Sequence, residues 1–194
     1  MYDHFREYID RNVTLRPGDW DRIEAELKED EFAANAHILE AGSTCRHLYF
    51  LHSGILRYCE WKEGIDQTLF FTLPGTIFTS SQSFSAQTPS VESIQAITTA
   101  RVLYMEQRSA MELYQSLPSW SELIRKVLLE VSFDFQRLFS ESKLLSPEKR
   151  YRKILEEEPL LAQNVPLKYL ASYLGIAPES LSRIRKRMSS SDKS

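Results

Sequence analysis

Residues 178–187, PESLSRIRKR, bring together six side chains whose types suit recognition of a base-paired polyanion. At about 100° per residue, Glu179, Ser180, Ser182, Arg183, Lys186 and Arg187 face outward on a helix, while Leu181, Ile184 and Met188 cluster on its opposite side. Arg183 carries the planar fork that matches O6 and N7 of guanine, and Glu179 can accept from N4 of cytosine. Ser180 and Ser182 can reach base edges or phosphate, and Lys186 and Arg187 are placed for phosphate. Glu179 and Arg183, one turn apart, are also expected to pair and to orient each other.

A second helix must hold that arc in place. Leu167, Leu170 and Leu174 recur at i, i+3 and i+7 beside the small Ala171, and Gly175 supplies the freedom of a tight turn. The following helix starts with Pro178 at its first position, although Ala177 is a poor cap. Two short helices that bury their leucines against each other have helix-turn-helix geometry, whose second helix can lie in the major groove. The unit begins at Ser146, a plausible N-cap followed by Pro147, and its first helix ends at Pro159. Residues 146–194 form this C-terminal all-α domain, and the Ser-rich tail after Met188 is read as disordered. Its charge fits a polyanion: residues 143–194 hold 11 Lys+Arg against 6 Asp+Glu, whereas residues 1–142 hold 13 against 21.

The rest of the chain must place the unit. Residues 118–145 contain no internal Gly or Pro, and Ile124, Leu128, Val131, Phe135, Leu138, Ser142 and Leu145 are spaced 4, 3, 4, 3, 4, 3. A heptad seam of that length predicts helix pairing, most simply between two copies of the chain, so residues 118–145 are read as a dimerisation helix. The alternative is that this face packs on the preceding domain; Leu123, Val127, Phe133 and Phe139, which flank the seam, could instead serve that domain while the seam meets a partner. That domain, residues 1–117, opens with two helix-like stretches, YDHFREYIDRN and PGDWDRIEAELKED. From about Ala36 to Glu106 it turns to short β-branched and aromatic runs, with glycines 42, 54, 64 and 75 at intervals of 12, 10 and 11 residues. The pattern predicts an antiparallel β-roll with flanking helices. The fold class is α+β, with an all-α C-terminal domain.

Other chemistry finds little support. Cys45 and Cys59 are the only cysteines and form no Cys-x-x-Cys, which removes a disulfide framework and a zinc or iron–sulfur cage. No early apolar run follows a basic start, and Gln67 to Val91 is too rich in Thr, Ser, Gln and Pro for a membrane span, so the chain is expected to be cytoplasmic. Walker, G-x-G-x-x-G, H-E-x-x-H and G-x-S-x-G motifs are missing. A cupin-like metal enzyme would draw on His37, His47 and His52. On one strand, however, His47 and His52 point to opposite faces, so no metal, catalytic residue or cofactor is assigned. The segment TSSQS is read as a loop, and the carboxylate runs at Glu29 to Glu31 and Glu156 to Glu158 as solvated faces.

GIAPESLSRI, with Glu179, Ser182 and Arg183 in E-x-x-S-R order after the Gly turn, resembles the recognition motif of the Crp/Fnr family of bacterial transcription regulators. The resemblance extends to the glycine-punctuated roll, the long helix and LLSPEKRYRKIL, which is similar to the family's hinge and first DNA-domain helix. It implies a cyclic-nucleotide-binding-like roll, a homodimer and double-stranded DNA as partner, with Glu179 and Arg183 reading bases, Ser182 adding specificity and Ser180 holding phosphate. Relatives that bind cyclic AMP carry a Glu after the glycine of the LPGTIF segment and an Arg-Ser about ten residues later. Here Ser80 and Ser90-Val91 fall at those places. Loss of that cation removes a charge-assisted pair of about 1.5–3 kcal/mol, so an effector other than cyclic AMP in the usual mode is implied. Thr79, Ser80, Ser81 and Ser90 are its candidate contacts. The four cysteines of the cluster-binding branch are lacking, little room remains for a wing between Pro159 and Pro166, and Pro178 replaces a base-reading Arg. The alternative from another class is a ligand- or partner-binding regulator of the same fold that does not act on DNA.

Overall fold

A computed structural model describes residues 1–191; Asp192, Lys193 and Ser194 lie outside the described residues. Helix α1 (Tyr2–Asn12) and the short α2 (Asp19–Glu24) precede eight strands: β1 (Lys28–Phe32), β2 (His37–Leu39), β3 (His47–Ser53), β4 (Leu56–Lys62), β5 (Ile65–Thr72), β6 (Thr76–Phe78), β7 (Ser93–Ala96) and β8 (Ala100–Glu106). Helix α3 (Ser81–Ala86) interrupts the strands. After them come α4 (Gln107–Ser116), α5 (Pro118–Leu144), α6 (Pro147–Glu157), α7 (Pro159–Asn164), α8 (Leu167–Leu174) and α9 (Pro178–Ser191). The architecture is α+β.

The strands form two four-stranded antiparallel sheets, in orders β1-β8-β3-β6 and β2-β7-β4-β5. In β3 three consecutive residues, Tyr49, Phe50 and Leu51, are buried, as expected of a strand covered on both faces. The helical cover is built by Phe5 and Ile9 of α1 together with Trp120 and Leu123 at the start of α5, which join the roll's buried cluster. The Phe5 and Phe50 rings lie 4.7 Å apart. A second apolar cluster unites α6 to α9 around Leu170 and includes Ile55 and Ile97 from the roll. The C-terminal helices are thus packed on the roll.

Three local expectations need correction. The second preface helix stops at Glu24, and Lys28 to Asp30, expected to be helical, belong to strand β1, so the sheet begins before Ala36. Pairing with β8 overrides the helical propensity of KEDEF, whose Glu29, Asp30 and Glu31 side chains stay solvated. TSSQS is the start of helix α3 rather than a loop, with Ser80 at its N-cap. The Ser-rich tail, read as disordered, is helical as far as Ser191, where α9 ends; the rest of that reading falls on residues outside the described ones.

Between β3 and β4 the chain turns at Gly54, whose φ is 101°. A Cβ there would lie 2.6 Å from the Thr99 carbonyl oxygen and 2.7 Å from Ala100 Cα, both backbone atoms. Gly54→Ala is therefore expected to cost about 1–3 kcal/mol, read as a lower urea midpoint at unchanged slope. An unchanged midpoint would show that the turn relaxes freely.

Candidate nucleic-acid interface

Helix α8 ends in a Schellman turn. Gly175 adopts φ 72°, its N–H donates to the Ser172 carbonyl, and the Ile176 N–H donates to that of Ala171, each at 3.0 Å. Arg150 of α6 adds charge where the helix dipole wants it, donating to the carbonyls of Tyr173 at 3.1 Å and Leu174 at 3.3 Å. Pro178 then opens α9, and the Ala177 carbonyl accepts from the N–H groups of Ser180 and Leu181. Leu170, Ala171, Leu174, Leu181 and Ile184 are all buried, so the leucine faces meet as their spacing predicts. Ser146 accepts from the Lys149 N–H at 3.3 Å and caps α6 as expected.

The polar arc is turned outward. Glu179, Arg183, Lys186 and Arg187 are exposed, and Ser180 and Ser182 half-buried. Leu167, Pro178, Glu179, Ser182 and Arg183 line one open groove. The expected pairing of Glu179 with Arg183 is corrected. Arg183 Nε reaches the Glu179 backbone carbonyl at 3.4 Å, and no ion pair joins the two side chains among the described residues. Arg187 donates from Nη2 to Glu148 Oε2 at 2.7 Å, tying α9 to the first turn of α6. Arg185, not singled out from the sequence, lies half-buried with its guanidinium 5.4 Å from the centre of the Tyr151 ring. Its Nε and Nη2 have no hydrogen-bond partner among the described residues.

Along α5 the roll covers only the beginning. Leu123 is buried, and Ile124 and Val127 pack against the roll's core. Val131 and Leu138 are half-buried. Leu128 and Phe135 are 56% and 50% exposed, although the Phe135 ring also meets that of Phe70 of β5 at a near right angle, their centres 5.4 Å apart. Phe133 and Phe139 do not serve the roll; they are 62% and 65% exposed. At 100° per residue Phe139 joins the Leu128–Phe135 stripe instead. Leu145 lies just past the helix in extended conformation, so it ends the seam outside α5.

Two of the candidate effector residues, Ser80 and Ser90, are engaged with each other and with Glu92. Ser80 Oγ lies 3.1 Å from Ser90 Oγ and donates to Glu92 Oε1 at 2.8 Å, while Ser90 Oγ donates to the Glu92 carbonyl at 2.8 Å. Thr79 donates to the His47 carbonyl at 3.0 Å, and the Thr79 carbonyl accepts from the Tyr58 hydroxyl at 2.9 Å. Ser81 is exposed at the start of α3. Burial, reinforced by Glu92, holds the Tyr58 phenol well above its ordinary range. A phosphate brought against Ser80 would meet a carboxylate rather than a cation.

The histidines do not converge. His47 Nδ1 lies 3.3 Å from the Tyr49 hydroxyl, His52 Nδ1 lies 3.1 Å from His4 Nδ1, and His37 is exposed. Among the described residues no group of three or more His, Cys, Asp or Glu could hold a metal ion. Cys45 and Cys59 are buried free thiols. No described helix is long and apolar enough to cross a membrane.

A roll of two antiparallel sheets joined by a long helix to a helix-turn-helix unit defines a class. Residues 29–116 match the family described as the cyclic nucleotide-binding domain. In structure the chain is similar to the c-di-GMP-responsive global regulator CLP of Xanthomonas campestris, with 18% identity, TM-score 0.72 and coverage of 91% of this chain and 93% of that one. It is similar to FixK2 of Bradyrhizobium japonicum, at 17% identity, TM-score 0.70 and 86% of each chain. A Eubacterium rectale protein assigned to the Crp/Fnr family matches at 17% identity and TM-score 0.71, over 91% of this chain and 85% of that one. No curated protein matches in sequence. Residues 29–116 thus match the cyclic nucleotide-binding domain, and the chain shares the fold of Crp/Fnr regulators over most of its length.

Burial lowers the pKa values of both His47 and His52 from the ordinary 6.5. The folded chain therefore binds protons at these rings less readily than the unfolded chain, which takes them up first as pH falls below about 6.5. Stability is fully present above that value and is lost on acidification toward the folded values. The urea midpoint is expected to fall between pH 7.5 and 5.5, and the fall to shrink in His52→Gln. A midpoint that rises with acid would contradict the assignment.

Proposed function

We propose that the chain is a sequence-specific, double-stranded-DNA-binding transcription regulator of the Crp/Fnr type. It acts in the cytoplasm as a symmetric dimer and by binding, without catalysis. The observation that carries this reading is the outward arc of α9, where Glu179, Ser182 and Arg183 line an open groove while Leu181 and Ile184 anchor the helix from behind. Arg183 reads guanine and Glu179 cytosine N4, with Ser180 and Lys186 on phosphate. Arg187 joins them by exchanging its exposed Glu148 partner, a pair worth about 0–1 kcal/mol.

Two copies meet along α5 through Leu128, Phe135 and Phe139, flanked by Ile124, Val131 and Leu138, with Leu145 at the end of the seam. The dimer places the two recognition helices about 34–36 Å apart, one turn of DNA. The domains act as a sensor-like roll at residues 1–117, a dimerisation helix at 118–145 and a DNA-binding unit at 146–194. The roll answers to an effector that contacts Thr79, Ser80, Ser81 or Ser90. That effector binds one arrangement of the helices better than the other, since otherwise it shifts nothing. The Ser80–Glu92 bond argues against a cyclic phosphate in the usual pose.

Selection from random duplexes is expected to return a palindrome with half-sites one turn apart. Arg183→Ala is expected to lose about 1–3 kcal/mol concentrated at one base pair of each half-site. Uniform loss across the site, or none, would turn the reading toward a regulator that does not act on DNA. Leu128→Glu, at an exposed position of the single chain, is expected to sediment as a folded monomer; a variant still dimeric would place the contact elsewhere.

A further inference from the structure

Strand β5 is the edge of its sheet, so one row of its backbone groups has no strand partner. Helix α8 lies against that edge, and one side chain meets two of the groups. The Thr68 N–H donates to Ser172 Oγ at 2.9 Å, and Ser172 Oγ donates to the Asp66 carbonyl at 3.1 Å. A single hydroxyl thereby supplies the acceptor and the donor that a neighbouring strand would offer. Gln67 Nε2 reinforces the contact by donating to the Ser172 carbonyl at 2.8 Å.

A buried charge sits beside this junction. Arg57 binds both Asp66 carboxylate oxygens, at 2.8 and 2.7 Å, and donates to Gln95 at 2.8 Å and Thr68 at 3.2 Å. Its guanidinium carbon lies 3.7 Å from the centre of the Tyr169 ring on α8, close enough for a cation–π contact. Phe71 and Tyr173 meet edge to face at 5.4 Å. Ser172 stands two residues from both Leu170 and Leu174, so one face of α8 carries α9 while another rests on β5.

We infer that Ser172 is a positioning residue that latches the helix-turn-helix unit to the roll and holds α9 in the orientation from which it meets DNA. The inference rests on the DNA-binding reading above. In the latched arrangement Glu179 and Arg183 are exposed, so the latch presents the recognition face. A rocking of α8 on β5 would carry α9 with it and change the separation of the two recognition helices. The latch therefore acts on affinity and not on the choice of base.

The test uses the full chain carrying Ser172→Ala, with Ser172→Thr as the conservative rescue. In the free protein, exchange of the Thr68 amide is expected to quicken about tenfold in Ser172→Ala and to recover in Ser172→Thr. Affinity for the selected duplex is expected to fall about tenfold with unchanged base preference, unlike the localised loss expected of Arg183→Ala. Unchanged exchange, tighter binding or a shifted base preference would each overturn the inference. A wild-type chain that selects no duplex would sink the DNA reading, and the exchange measurement would then decide on the latch alone.

Discussion

The burial of Leu170 and Leu174 against Leu181 and Ile184 is the contact on which the rest depends, because it fixes which side of α9 faces water. Each such side chain contributes about 1.5–3 kcal/mol when fully buried. The exposed Arg187–Glu148 pair contributes at most about 1 kcal/mol. Apolar packing therefore sets the helix orientation and turns Glu179 and Arg183 outward. The Schellman turn at Gly175 lets the two apolar faces close on each other within a few residues.

Helix α8 has a second set of contacts, and these join the two ends of the chain. Its Tyr169 and Ser172 rest on β4 and β5, while Ile55 and Ile97 of the roll enter the same apolar cluster as Leu170. The 27-residue α5, about 40 Å long, is buried against the roll only at its first turns, touches β5 again through Phe135, and carries an exposed apolar stripe toward the C-terminal unit. On the proposed reading the stripe fixes where the two copies cross, and the contact between α8 and β5 fixes how each unit is turned. Both then bear on one quantity, the separation of the two recognition helices.

Local signals made much of this legible before the structure. Periodicity placed α5, α8 and α9, the Ser146-Pro147 pair placed the start of α6, and the spaced glycines marked a roll. Signals that depend on distant partners were not legible. KEDEF is a strand because β8 lies beside it, and TSSQS starts a helix although serines there favour turns. The heptad count separated seam from flank too sharply, since Phe139 shares the Leu128 stripe and Phe133 is left in solvent. Glu179 and Arg183 were correctly placed one turn apart, but spacing alone does not say whether a guanidinium takes a carboxylate or a carbonyl. Ser172 gave no sequence signal, because its partners are more than a hundred residues away. Arg185 was hidden for another reason, its place at the border between the apolar and polar sides of α9.

Guanine-N7 methylation interference on a bound duplex tests the central claim most directly, because it asks whether a guanidinium sits at the edge of a base in the major groove. The account predicts that methylation at two symmetry-related guanines, about one helical turn apart, abolishes binding. Interference spread evenly along the duplex, or none at any guanine, would contradict it.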